Sequence, residues 1–156
     1  MAKSEALRQL ETLAFEQLRE RYPRTPLQYL PRERFNDKTA NQLTKSIITW
    51  LRLNGQFAER INTMGVPMDK RKMITDCIGR KRQIGSLTWR KSTSTRGSAD
   101  IHCLVNGRAI YIEVKANGDR MRPEQFEYQQ QVEQAGGVYI IATSFEKFLN
   151  QYMELV

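Results

Sequence analysis

The sequence has little of what a secreted, disulfide-stabilised or membrane-spanning protein needs. Its two cysteines, Cys77 and Cys103, are far apart and form no C-x-x-C pair, so neither a disulfide framework nor a zinc site is expected. No apolar run approaches the roughly 20 residues that cross a bilayer, and the N-terminus lacks the apolar stretch of a signal peptide. These absences predict a cytoplasmic protein.

Acidic residues are few relative to basic ones. The 156 residues include 25 Lys and Arg against 17 Asp and Glu, which gives a net charge of +8. The excess lies in 70–96, where nine basic residues accompany one acid, Asp76. Such a concentration is typical of a phosphate-binding surface, although a solubilising charge run has the same composition.

The most informative stretch is 97–115, which reads GSADIHCLVNGRAIYIEVK. Asn106-Gly107 between two apolar runs predicts a hairpin with a type I′ turn, because both central positions of that turn need a positive φ. This turn pairs Val105 with Arg108, and the same register continues to Asp100 opposite Glu113. The two-residue period of a strand then puts Lys115 on the same side as Glu113.

The predicted hairpin therefore brings two carboxylates and one ammonium to a single face. Like charges directly opposed on a sheet are destabilising, and a divalent cation such as Mg²⁺ or Mn²⁺ would explain the pair. The alternative is a solvated edge hairpin with an ordinary Glu-Lys ion pair.

Asp100 followed by Glu113-Val114-Lys115 resembles the D…E-x-K core of the PD-(D/E)XK nuclease superfamily. With Gly97, three residues before Asp100, and the later run Arg122-Pro123-Glu124-Gln125, the pattern is similar to the virus-type replication-repair nuclease family, VRR-NUC. The resemblance extends from about Thr39 to the C-terminus, with a basic insert at about 64–96.

This resemblance implies an α/β fold with a restriction-endonuclease-like core, in which helices flank a mixed central sheet. Residues 36–156 would form the nuclease domain. Residues 1–35 would add an N-terminal helix and connector, a candidate dimerisation arm. The implied function is a Mg²⁺- or Mn²⁺-dependent endonuclease that cuts branched DNA, such as a four-way junction, as a homodimer in a bacterial or phage-infected cell.

The resemblance also assigns roles to individual residues. Asp100 and Glu113, with the backbone carbonyl of Val114, would hold the cation, Lys115 would orient the attacking water, and Gln125 would position the lysine or the water. Relatives commonly carry a glutamate near the start of the second helix, where this chain has Thr39-Ala40-Asn41-Gln42. Gln42 is the remaining candidate there for a weak ligand, acting directly or through water.

Basic side chains are the candidate DNA contacts, namely Arg80, Lys81, Arg82, Lys91, Arg96, Arg120 and Arg122. For Arg120 and Arg122, plain surface solvation is an equal alternative. His102 is the only histidine and an alternative general base, but Lys115 already fills that role and His102 faces Tyr111 in the predicted register. Two other functions remain open: a nucleic-acid-binding module with an inactive site, and a restriction-type nuclease acting on linear duplex.

Periodicity and capping signals predict the elements around the hairpin. Before the hairpin they are a helix from a Ser4 cap to Arg21, a helix over 38–54 capped by Asn36 or Asp37, and a strand over Phe57–Asn62. The basic region adds a helix over Asp69–Ile78 ended by Gly79 and a strand over Ile84–Ser92. After the hairpin come a helix over Pro123–Ala135, a strand over Val138–Ala142 and a last helix capped by Ser144.

Overall fold

The computed structural model describes residues 3–61, 65–90 and 94–156. The chain divides into two compact units, a larger one of Met1–Ile61 with Arg96–Val156 and a smaller one of Asn62–Thr95. The described elements are α1 (Glu5–Arg21), α2 (Ala40–Leu53), β1 (Phe57–Arg60), β2 (Val66–Asp69), β3 (Lys72–Thr75), β4 (Lys81–Ile84), β5 (Leu87–Arg90), β6 (Ile101–Val105), β7 (Arg108–Val114), α3 (Pro123–Gln134), β8 (Val138–Ala142) and α4 (Phe145–Met153). In the described part of the chain, no helix combines the length and the apolar character needed to cross a membrane.

The larger unit is built on a four-stranded mixed sheet in the order β1-β6-β7-β8. Strands β1, β6 and β7 are antiparallel, and β8 runs parallel to β7 after the α3 crossover. The predicted hairpin and its register are confirmed, since Val105 pairs with Arg108 and Ile101 with Ile112. Asn106 and Gly107 have φ values of 49° and 77°, as a type I′ turn requires. The mixed α/β architecture is therefore as predicted.

Apolar side chains of alternate positions cover one face of this sheet and form the core. Ile101, Ile110, Ile112 and Ile140 are buried there, together with residues of α1, α2 and α4. On the opposite face, Tyr128 of α3 makes edge-on ring contacts with Tyr111 and Tyr139. Helix α3 therefore packs on the other side of the sheet and covers the face that carries Glu113.

Helix α1 begins and ends where the sequence predicts. Ser4 caps it by accepting a hydrogen bond from the Leu7 amide at 3.4 Å, and Leu7 and Leu10 are buried in the core of the same unit. The apolar stripe of α1 is thus partly covered by its own chain.

The predicted cap of α2 is wrong. Thr39, rather than Asn36 or Asp37, caps this helix by accepting from the Gln42 amide at 3.3 Å. The Asp37 carboxylate instead accepts from the Phe145 amide at 3.0 Å, at the start of α4. A short polar residue caps whichever helix terminus the fold brings to it, and the sequence does not specify which one that is.

The smaller unit is a two-stranded antiparallel ribbon, with β2 paired to β5 and β3 paired to β4. The predicted helix over Asp69–Ile78 is wrong, because this segment contains the last residue of β2, all of β3 and the first part of the turn. Gly79, interpreted as a helix stop, has a φ of 80° in a hairpin turn that Asp76 closes by accepting from the Ile78 and Arg80 amides. The predicted strand over Ile84–Ser92 is observed as β5 and the end of β4, and Ser92 lies outside the described residues.

Candidate active site

Asp100 lies immediately before β6, where the hairpin ladder ends. Its Oδ2 accepts a hydrogen bond from the Val114 amide at 3.0 Å, and its backbone carbonyl accepts from the Ile61 amide at 2.8 Å. The first contact crosses from one strand of the hairpin to the other, so it fixes the Asp100 carboxylate beside the end of β7. Asp100 is half-buried and is close enough to Glu113 for its charge to affect that carboxyl.

Glu113 is buried, with 2% of its surface exposed. Its Oε1 accepts from the Lys115 ammonium at 3.0 Å and from the side-chain amide of Gln125. Its Oε2 is also buried and has no hydrogen-bond partner among the described residues. Two hydrogen bonds therefore hold one oxygen of this carboxylate, whereas the other oxygen is enclosed close to the Tyr139 hydroxyl.

Lys115 is nearly as buried as Glu113, with 4% of its surface exposed. Its ammonium group contacts Glu113 Oε1 at 3.0 Å, Gln125 Oε1 at 2.8 Å and Asp119 Oδ2 at 3.2 Å. An ammonium group has three donor hydrogens, and these three acceptors match them. The main-chain amide of Lys115 donates to Ala142 O at 2.8 Å, so β8 fixes the backbone as well.

Gln125 reaches this group from the first turn of α3, a helix that starts with Pro123 at its favoured first position. Its Oε1 accepts from Lys115 and also from the Arg122 amide at 3.0 Å, while its Nε2 donates to Glu113. The single amide thus bridges a cation and an anion on the sheet.

Gly97 brings the loop that carries Asp100 against this same helix end. Its φ is 76°, and a Cβ added to it would lie 2.1 Å from the Glu124 carbonyl oxygen. Only a glycine allows that close approach without a shift of the backbone. The glycine of the G-x-x-D pattern therefore has a packing role beside the site.

The electrostatics of the site favour a proton, or another positive charge, on Glu113. Burial and the nearby Asp100 raise the pKa of Glu113 to about 7, against the lowering effect of Lys115 and Gln125. The hydrogen bond from Lys115 lowers the pKa of Asp119. The carboxylate of Glu113 is thus incompletely neutralised by the lysine beside it.

Two residues at this site were missed by the sequence reasoning. Asp119 contacts Lys115, and the spacing of four residues between this acid and the lysine could have suggested the pair. Tyr139 lies on β8 beside Tyr111, and its hydroxyl is buried without a hydrogen-bond partner in the described part of the chain. Burial and then the charge of Glu113 raise the pKa of Tyr139. The apolar run VYIIA gave no sign that the Tyr139 hydroxyl would lie near Glu113.

His102 packs edge-on against Tyr111, with ring centroids 4.5 Å apart, as the predicted register implies. Its Nε2 is buried and unpartnered among the described residues, and burial lowers the pKa of the imidazole. These contacts assign His102 to the cluster of aromatic rings on the face of the sheet that α3 covers.

No hydrogen bond or ion pair in the described part of the chain joins the other predicted site residues to Glu113. Gln42 is exposed in the first turn of α2, where its Oε1 accepts from the Thr39 hydroxyl at 3.1 Å. Arg96 is exposed and forms an ion pair with Glu124 at 3.5 Å. Arg120 and Arg122 are also exposed, and they follow Lys115 by five and seven residues in the sequence. Arg80, Lys81 and Arg82 lie on the ribbon, and Lys91 falls outside the described residues.

The candidate ligands for a hard divalent cation at this site are two carboxylates. Within residues 3–61, 65–90 and 94–156, no group of three or more His, Cys, Asp and Glu side chains is arranged around a metal position. Magnesium, however, is commonly bound through one or two carboxylates, with waters and substrate phosphate completing the shell. Asp100 and Glu113 supply the number and type of carboxylates that this requires.

Comparison of the chain with protein-family models, with curated proteins and with solved structures found no match in any of the three.

Proposed function

We propose that this protein is a metal-dependent DNA endonuclease with a PD-(D/E)XK core of the VRR-NUC type. The observation that carries the proposal is the buried Glu113–Lys115–Gln125 group beside Asp100, with one oxygen of Glu113 left without a partner. A purely structural ion pair would be expected to satisfy both oxygens, since buried polar atoms are nearly always hydrogen-bonded.

Asp100 and Glu113, with the carbonyl of Val114, are the residues that would hold the Mg²⁺ or Mn²⁺ ion. A bound ion of this kind lowers the pKa of water and offsets charge on the scissile phosphate. The Val114 amide fixes one oxygen of Asp100, and Gln125 and Lys115 fix one oxygen of Glu113. Each carboxylate is thus oriented by one of its oxygens, which is the preorganisation that such a site needs.

Lys115 would orient the attacking water and stabilise the negative charge that develops on the phosphate once its ammonium group releases Asp119, the exposed and most distant of its three acceptors at 3.2 Å. The contacts with Glu113 and Gln125 would keep the ammonium group in place during this exchange. Gln125 acts through Lys115 and Glu113 as a positioning residue.

The substrate proposed for this site is branched DNA, cut by a homodimer. Paired cuts on two strands need two active sites, and the net charge of +8 favours a polyanionic partner. A restriction-type enzyme would instead cut linear duplex at a sequence, and the experiment below separates the two.

The test is cleavage of a labelled four-way junction, and of a linear duplex built from its arms, in Mg²⁺ or Mn²⁺. We expect cleavage of the junction, and a loss of at least about a hundredfold in Asp100→Asn with DNA binding retained. Glu127→Gln, the same acid-to-amide change at an exposed position of α3, is the control and should cleave normally. Cleavage that survives in Asp100→Asn would contradict the proposed site.

A second candidate is a nucleic-acid-binding module without catalysis. It is favoured by the contact of Lys115 with Glu113, which neutralises part of the carboxylate charge without any metal. In the same assay this function predicts salt-sensitive binding of DNA and no cleavage with either ion.

A further inference from the structure

The ribbon of the smaller unit has one continuous register from end to end. Val66 pairs with Arg90 at the start of the ribbon, and Thr75 pairs with Lys81 beside the turn. Between the two paired segments, Lys70 N donates to Ser86 O at 3.2 Å, so the pairing continues across the gap. Ten residues per strand at about 3.3 Å each make an arm on the order of 30 Å long.

The ribbon has almost no interior. Every residue of the four strands is exposed, including Trp89 at 60% and Met73 at 63%. An isolated two-stranded ribbon is marginally stable, and it exposes large apolar side chains only at a cost. The apolar side chains of the ribbon therefore indicate a surface that meets a partner.

The charge of the ribbon indicates the chemistry of that partner. The segment 65–90 contains seven basic side chains and two acidic ones, a net charge of +5. Both acids are already engaged, because Asp69 pairs with Arg71 at 2.7 Å and Asp76 accepts the backbone amides of the turn. Within the described residues, the remaining cations form no ion pair, namely Lys70, Lys72, Arg80, Lys81, Arg82 and Arg90.

The shape of the ribbon favours duplex DNA over duplex RNA as the partner. The major groove of B-form DNA is wide enough for a two-stranded β-ribbon, whereas the major groove of A-form RNA is too deep and narrow for side chains to read. One face of the outer half of the ribbon combines Lys72 and Arg82 with Ile74 and Ile84, as their register positions dictate. Cations of this kind suit phosphates, and aliphatic side chains suit thymine methyl groups.

We propose that the 66–90 ribbon is a duplex-DNA-binding arm that lies in the major groove. The inference rests on the proposed function in that it names the element that binds the substrate duplex. It makes a separate prediction, however, because binding by the ribbon requires no catalysis.

The test measures binding of a labelled linear duplex by fluorescence anisotropy over a salt series, in an Asp100→Asn background. The slope of log K against log salt is negative, and each lost phosphate contact reduces its magnitude by about 0.9. Lys72→Ala with Arg82→Ala should therefore reduce that magnitude by about 2 and raise the Kd by about tenfold or more at 0.1 M salt. Both side chains are exposed, so the variant should keep the wild-type melting temperature.

Two controls separate the ribbon from net charge and from general electrostatics. Arg19→Ala with Arg21→Ala removes the same charge from exposed positions of α1 and should leave the slope unchanged. Methylation of guanine N7, which projects into the major groove, should interfere with binding, whereas methylation of adenine N3 in the minor groove should not. A double-stranded RNA of equal length should bind more weakly than the DNA.

Equal losses in the ribbon and α1 variants, tighter binding to RNA, or interference only at adenine N3 would each overturn the proposal. These failures are distinguishable from failure of the proposed function. If cleavage requires Asp100 but the ribbon variant binds DNA as tightly as the wild type, only the proposed role of the ribbon is contradicted. Ribbon-dependent binding without cleavage in either ion contradicts only the nuclease.

Discussion

At the scale of single residues, Gln125 shows why the candidate site needs a primary amide. An amide offers an acceptor oxygen and a donor nitrogen, and here they face the Lys115 ammonium and the Glu113 carboxylate. A glutamate at this position would face Glu113 with like charge, and an apolar residue would leave both groups short of a partner. The amide also accepts from Arg122 N and so fixes the start of α3.

Gln125→Ala should therefore destabilise the protein. Loss of hydrogen bonds to two buried charged groups costs about 1–3 kcal/mol. Gln129→Ala, one turn later on the same helix, removes only a surface contact with Glu133 and should cost about 0.5 kcal/mol or less. Urea denaturation measures both values, and equal losses would contradict the assigned contacts.

The raised pKa of Glu113 predicts a pH dependence of stability in metal-free buffer. The carboxyl titrates at an ordinary value of 4.5 when unfolded and at about 7 when folded, between Asp100, Lys115 and Tyr139. The folded state therefore binds more protons between these values. The contribution of Glu113 is fully present below pH 4.5 and is lost as the pH rises through 7.

Glu113→Gln removes this titration, so the stability of wild type relative to the variant should fall by roughly 3 kcal/mol between pH 4.5 and 8. Chemical denaturation across this range, with EDTA present, measures the difference. Parallel pH profiles of stability for the two proteins would show that the pKa of Glu113 is not raised in the folded state.

At the scale of elements, local signals predicted most of the larger unit. Asn106-Gly107 strongly favours a type I′ turn, and that turn fixes the register that brings Asp100 near Glu113. Ser4 and Ser144 were identified as caps because each precedes an apolar helical stripe. The prediction of a helix over Asp69–Ile78 was wrong because a glycine with a positive φ is equally suited to the end of a helix and to a hairpin turn, and Gly79 lies in a turn.

Contacts between distant parts of the chain could not be predicted in this way. Asp37 caps a helix 108 residues later, and the Tyr139 hydroxyl approaches Glu113 from the neighbouring strand. Neither contact leaves a periodic or spacing signal. The D…E-x-K pattern identified the residues that meet, and the partners that orient them became visible only with the packing of α3.

The loop before β6 offers a prediction at this scale. Gly97→Ala would put a methyl group against the Glu124 carbonyl and also strain a positive φ, so we expect a loss of more than about 2 kcal/mol. Gly55 has a similar φ of 75° with open space around it, so Gly55→Ala should cost only about 1 kcal/mol. Thermal and urea denaturation of the two variants compare these costs, and equal losses would show that the close approach at Gly97 is unimportant.

At the scale of the whole molecule, charge and chemistry are divided between the two units. The segment 62–95 contains eight basic and two acidic residues, a net charge of +6, which leaves +2 for the rest of the chain. The larger unit contains the buried carboxylate and ammonium, and the smaller unit contains a ribbon with an exposed, basic surface. We expect catalysis and duplex binding to be separable by mutation for this reason.

The proposed activity depends on the binding of one divalent cation by Asp100 and Glu113, and a titration with Mn²⁺ followed by electron paramagnetic resonance measures that binding. We expect saturable binding by the wild-type protein, loss of that binding in Asp100→Asn and in Glu113→Gln, and normal binding in Glu127→Gln. A wild-type protein that binds no Mn²⁺, or that binds it equally well after either substitution at the site, would contradict the proposed metal site.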